Sequence, residues 1–217
     1  MKRLLLLPVL FVIFLSVSCQ LTQEYHFNKD LSGSYSFEMK MGDFLNMMQS
    51  MDTSGNFEST MDTLDKSFDM IMQKYGDAGA KNVKAGWKDD KTTLYVKFDF
   101  TSPDDLNSIF LKSSEGSGFD FFGGKSGGAA SFSHKGKRRL SMDFPELDDS
   151  ISTKDFASVK DYISVETIFS FDRRIKSISN KNAEISADGK SFKFSGKADD
   201  FLNKDYSMDT DVKLRFK

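Results

Sequence analysis

From Ser34 to Met41 the chain alternates strictly, with Tyr35, Phe37, Met39 and Met41 on one side and Ser36, Glu38 and Lys40 on the other. A period of two puts successive side chains on opposite faces, so this segment predicts a half-buried antiparallel strand. The period then changes. Asp43 suits the cap of a short helix carrying Phe44, Met48 and Met51 on one side. After a polar loop at Asp52–Asn56, the residues Met61, Leu64, Phe68, Ile71, Met72 and Tyr75 form an apolar stripe at helical spacing, stopped at Gly76. Val83–Asp89 and Thr92–Phe100 predict a hairpin around Asp89-Asp90-Lys91, with Leu94, Val96, Phe98 and Phe100 facing one way. Ser102-Pro103-Asp104-Asp105 combines an N-cap serine, proline at the first helical position and acids in the first turn. Leu106, Ile109 and Phe110 give that helix its buried side.

Beyond a glycine-rich stretch at 116–128, Ser131–Pro145 reads as two strands joined by Lys135-Gly136-Lys137. Thr153–Tyr162 predicts a short helix with Phe156 and Val159 inward, and Val165–Phe171 a strand. Asp188-Gly189 between Ala183–Ser186 and Ser191–Ser195 is a hairpin signal, and Met208–Phe216 closes the chain as a strand. Hairpin-linked strands with three or four interspersed helices predict an α+β domain built on an antiparallel sheet. The domain is expected to span 33–217. Residues 19–32 are polar and weakly patterned, and are expected to form a tether.

The first eighteen residues have a different pattern. Lys2 and Arg3 precede an unbroken apolar run, Leu4–Leu15, of 12 residues. A helix needs roughly 20 apolar residues to cross a membrane, so the run fits the core of a cleaved secretory signal. Ser16-Val17-Ser18 leads into Cys19, the chain's one cysteine. This layout resembles a bacterial lipoprotein signal with a relaxed, Bacteroidetes-like box, in which Ser16 stands where leucine is usual. The resemblance implies cleavage between Ser18 and Cys19, a diacylglycerol on the thiol and an acyl chain such as palmitate on the new amine. Gln20 after the cysteine implies the outer membrane of the cell envelope. With no second cysteine, a disulfide is excluded and stability must come from a core.

Composition narrows the function. Of 30 Lys+Arg against 32 Asp+Glu, two basic residues lie in the leader, which leaves the remainder more acidic and gives no reason to expect nucleic acid. Phe numbers 22, which excludes low-aromatic disorder. Gly124-Lys125-Ser126 ends like a phosphate-binding loop, but Phe119 stands where that motif needs glycine. Phe119, Phe121 and Phe122 on the glycine-rich loop, and Lys135, Lys137, Arg138 and Arg139 beside His134, are candidate membrane or ligand contacts. Between Met39 and Met72 lie eight methionines, an adaptable apolar set suited to core filling or ligand lining. His26 and His134 are far apart in sequence, so no metal site, cofactor or catalytic constellation is expected.

Phe171-Asp172-Arg173-Arg174-Ile175-Lys176-Ser177-Ile178-Ser179-Asn180, followed by Asp188-Gly189-Lys190-Ser191-Phe192-Lys193-Phe194, is similar to the closing segment of LppM-type bacterial lipoproteins. Gly33-Ser34-Tyr35-Ser36-Phe37 and Phe100-Thr101-Ser102-Pro103-Asp104-Asp105 fit the same outline. At Phe171-Asp172-Arg173 the chain departs from the Phe-Pro-Gly common in that family. The resemblance implies an α+β domain held at a membrane, with amphiphile binding as its suspected role. The expected function is therefore a non-catalytic, lipid-anchored envelope protein binding an amphiphile. A protein-interaction subunit of an outer-membrane complex is the alternative, and a carboxylate hydrolase the remote one.

Overall fold

The computed structural model describes residues 19–52, 55–114, 130–144, 163–202 and 206–216, apart from the side chains of Met47, Met51 and Leu202. Two sheets share one aromatic core. Sheet A has seven strands: β1 (Cys19–Phe27), β2 (Gly33–Lys40), β3 (Lys81–Lys88), β4 (Thr93–Phe100), β7 (Ile163–Phe171), β9 (Glu184–Ile185) and β10 (Ser191–Lys197), in the order β3-β4-β2-β1-β7-β10-β9. Sheet B has four: β5 (Ser131–His134), β6 (Arg139–Asp143), β8 (Ile175–Ile178) and β11 (Thr210–Leu214), in the order β5-β6-β11-β8. Among the described residues there are four helices, α1 (Gly42–Met51), α2 (Asn56–Asp77), α3 (Pro103–Ser114) and α4 (Ala198–Leu202). The architecture is α+β.

Two-residue periodicity sets what each strand buries. Ile163, Val165, Thr167, Phe169 and Phe171 of β7 are all buried, and Ser164, Glu166, Ile168 and Ser170 between them face outward. Tyr25, Phe27 and Phe169 of sheet A meet Phe132, Leu140 and Met142 of sheet B in one cluster. Leu106 and Ile109 of α3 enter the same cluster fully buried. A smaller one, Phe68 of α2 with Leu94 and Val96 of β4, fixes α2 over the β3–β4 edge.

The segment expected to be a tether is instead the middle strand of sheet A. In β1, Leu21, Gln23, Tyr25 and Phe27 are buried and alternate with Gln20, Thr22, Glu24 and His26. Residues 19–27, expected as part of the tether, are thus a strand of the folded sheet. Alternation was present at 20–27 but hidden, because the buried Gln23 breaks the apolar stripe. The Tyr25 hydroxyl donates to its Oε1 at 3.1 Å, which offsets the cost of burying the amide.

The sheet is also not purely antiparallel. β1 runs antiparallel to β2 and parallel to β7, with Cys19 opposite Ile163 and Phe27 opposite Phe171. The pairs β1–β2, β3–β4, β5–β6 and β9–β10 are consecutive strands, whereas β2–β4, β7–β10, β6–β11 and β8–β11 pair across intervening elements, and the parallel β1–β7 pair joins residues far apart in sequence. The strand β8 and the single-turn α4 were not expected. The glycine-rich loop with Phe119, Phe121 and Phe122, and the expected helix Thr153–Tyr162, lie outside the described residues.

Asp65 of α2 ties that helix to the β3–β4 hairpin. Its carboxylate accepts from Trp87 Nε1 at 2.6 Å and from Lys91 Nζ at 2.9 Å. The Lys91 bond first, then the Trp87 bond, hold the Asp65 carboxyl below the usual carboxylate range. A depressed folded-state pKa gives stability that is present above the unfolded value of about 3.9 and is lost as pH falls through the folded one. Asp65→Asn is therefore expected to lower Tm at neutral pH, and the gap to the parent protein should narrow in acid. A gap that stays constant from neutrality to strong acid would remove the charge from this account.

Candidate functional site

Cys19 opens β1, and its half-buried side chain packs against the core cluster. Burial pushes its thiol pKa above the ordinary value. A reactive cysteine needs a stabilised thiolate, so the free thiol of the folded chain is a poor nucleophile. Strand register places Lys40 at the end of β2, Thr93 at the start of β4 and Lys197 at the end of β10 on this same margin of the sheet. That margin is the Cys19 pole of the sheet.

The basic cluster lies at the other pole. β1 spans roughly 26 Å at about 3.3 Å per residue, and beyond Phe27 the chain turns at Asn28–Ser32. Lys135, Lys137 and Arg138 occupy the β5–β6 turn, all exposed, and Arg139 opens β6. The turn is held against its neighbours. Arg173 Nη1 donates to the Lys137 carbonyl at 3.0 Å, and the Leu214 amide donates to the Arg138 carbonyl at 2.8 Å. The Arg215 amide donates to the Arg174 carbonyl at 2.8 Å. The Arg138 guanidinium lies 3.5 Å over the centre of the Phe216 ring. The fold thus gathers Arg173, Arg174, Lys213 and Arg215 with the four cations read from sequence, an assembly that no local pattern showed.

At the edge of this pole a Ser–His–Asp arrangement spans β1 and β7. His26 Nδ1 is 3.0 Å from Ser170 Oγ, and its Nε2 is 3.5 Å from Asp172 Oδ1. Sequence reading placed no such constellation, since it assigned His26 to a tether. The Asp172 contact is long, both ends are more than a third exposed, and the set lies on the solvent face of the sheet. General-base catalysis works best where the pair is held in a closed cleft, so we read these groups as a polar link between β1 and β7. His134 is likewise exposed, 3.9 Å from Asp104. Among the described residues, no group of three or more His, Cys, Asp or Glu could hold a metal ion.

A groove of about 310 Å³ runs between α2 and α3, lined by Met70, Gln73, Lys74, Asp77, Ala78 and Lys112. Met70 is 65% exposed there. The other described methionines divide between roles: Met142 is fully buried, while Met39 packs against the core from a half-buried position. Among the described residues, no helix is long and apolar enough to cross a membrane.

No family model matches the chain, and neither does any curated protein. Among solved structures, the folded domain of LppM from Mycobacterium tuberculosis, determined by NMR, is similar at a TM-score of 0.47 and 12% identity. The likeness covers 92% of this chain and 90% of that one.

Proposed function

We propose that this chain is a lipid-anchored protein of the bacterial envelope whose domain is a non-catalytic module for an anionic amphiphile. The observation that carries this reading is the position of Cys19. The apolar leader run ends four residues before it, and the domain's central strand begins at it. On this reading the Cys19 thiol carries a diacylglycerol, and β1 runs from the lipidated residue between β2 and β7. Two or more acyl chains then give stable anchoring, where one gives only marginal binding. Gln20 favours the outer membrane. The groove between α2 and α3 supplies Met70 and Ala78 for a chain and Lys74 and Lys112 for a charged headgroup.

Expression of the full chain in a bacterial host tests the anchor. The protein is expected in the membrane fraction, with a lipid-sized mass on the peptide beginning at Cys19. Cys19→Ser is expected to move most of it to the soluble fraction. If that variant stays in the membrane fraction, the anchor reading fails. Native mass spectrometry before and after organic extraction tests the groove: an extractable lipid mass supports it, and a clean apo mass removes the amphiphile.

A further inference from the structure

We infer that the basic pole docks on a second anionic bilayer, facing the one that holds Cys19. This rests on the anchor reading above. It follows from β1, which has the anchor residue at one end and the basic turns beyond the other. With residues 20–27 folded into the sheet there is no slack between them, so an upright domain presents this pole away from its own membrane.

The platform is preorganised. Three separate segments, the β5–β6 turn, the β7–β8 turn and the end of β11, are joined there by two backbone hydrogen bonds, Leu214 to Arg138 and Arg215 to Arg174, and by the Arg173 guanidinium on the Lys137 carbonyl. Arg139 of β6 stands directly opposite Lys213 of β11. Like charges facing across a strand pair repel, and an anionic surface relieves that repulsion. The nearby carboxylates are fewer than the cations and are hydrogen-bonded within their own turns: Asp30 accepts from the Ser32 hydroxyl and amide and also feels Lys137, Asp188 accepts from the Ser186 hydroxyl and Lys190 amide and also feels Arg174, and Asp172 faces His26. The surplus of cations stands out because the chain as a whole carries a net charge of −2.

A lipid surface is favoured by Phe216. Its ring is 77% exposed under the Arg138 guanidinium. An aromatic ring beside snorkelling cations suits the headgroup layer, where the ring takes the apolar side and the cations meet phosphate.

The test uses the chain from Cys19 onward, which holds every described element, with Cys19→Ser and a histidine tag ahead of that position. The tag holds it on neutral phosphatidylcholine vesicles through a nickel-chelating lipid. Vesicles rich in phosphatidylglycerol are then added and clustering is followed by light scattering. Clustering that reverses with salt, and an affinity for the second vesicle lowered about a hundredfold in Arg139→Ser/Arg174→Ser/Arg215→Ser, are expected. Circular dichroism confirms that the variant is folded. No clustering overturns the inference. So does binding to the anionic vesicle without clustering, which would mean that the platform lies back on its own membrane, and so does clustering that the triple variant leaves intact. Because the tag supplies the anchor, these results stand whether or not cells acylate Cys19.

Discussion

Replacing Phe169 with alanine is expected to cost about 4 kcal/mol of folding stability. The ring is fully buried at 0% exposure, in the C-terminal half of β7. It stacks on Tyr25 at 4.9 Å between centroids and on Phe192 at 4.9 Å, with Phe144 at 6.0 Å and Phe194 at 6.5 Å edge-on. Alanine removes the ring from four neighbours at once, and a sheet face cannot collapse into the space without bending its ladder. The lost transfer energy and the residual cavity therefore add. A domain of this kind has only about 5–15 kcal/mol in total, so urea unfolding should show a large drop in midpoint with little change in slope. Phe216→Ala is the control, and its ring is exposed enough to predict a change within about 0.5 kcal/mol. A loss at Phe169 no larger than the control's would mean that the stacked column does not organise the core.

That column shows which parts of the fold could be read beforehand. Where a strand pairs with its sequence neighbour and buries one apolar stripe, as β4 does with Leu94, Val96, Phe98 and Phe100, local alternation sufficed. The start of α3 was legible too, because capping is local: the Asp105 amide donates to Ser102 Oγ at 3.1 Å, as the Ser-Pro-Asp-Asp run implies. β1 failed on a single residue, since Gln23 looks like a surface residue until Tyr25 is seen to satisfy it. Its parallel pairing with β7 also depends on a partner more than a hundred residues away, which no local pattern encodes.

The candidate sites divide in the same way. The expectation at Cys19 rests on a linear pattern, the apolar run and the small residues ahead of the cysteine, and needs no fold to be stated. The basic pole was readable only as Lys135–Arg139, because Arg173, Arg174, Lys213 and Arg215 reach it through the β7–β8 turn and the end of β11. The α2–α3 groove has no linear signature, since it depends on how two helices lie against each other. Under the proposed anchor the docking of β1 matters: a tether of a dozen residues would let the domain tumble above its membrane, whereas a docked strand would fix how far the basic pole stands from the lipid.

Gly33→Ala tests that docked strand directly, and is expected to destabilise the protein by about 3 kcal/mol. Gly33 opens β2 opposite Phe27 and Phe100. A Cβ there would run into the His26 carbonyl oxygen, and it would lie 2.8 Å from Phe100 Cζ and 2.9 Å from the His26 carbonyl carbon. Two of those contacts are backbone, so no side-chain rotation relieves them, and β1 and β2 must separate where the Phe27 and Phe100 rings pack at 5.5 Å. Gly136→Ala distinguishes this crowding from backbone strain. Its φ is +62° and a Cβ there meets nothing within 4 Å, so only the left-handed penalty of about 1 kcal/mol applies. Hydrogen exchange should show β1 amides opening first in Gly33→Ala and unchanged in Gly136→Ala. If the two variants lose equal stability, the close approach of β1 to β2 is not what sets the position of this strand. If Gly33→Ala loosens β1 alone, the strand becomes the slack tether its polar residues suggest, and vesicle clustering should weaken although every cation of the basic pole is still present.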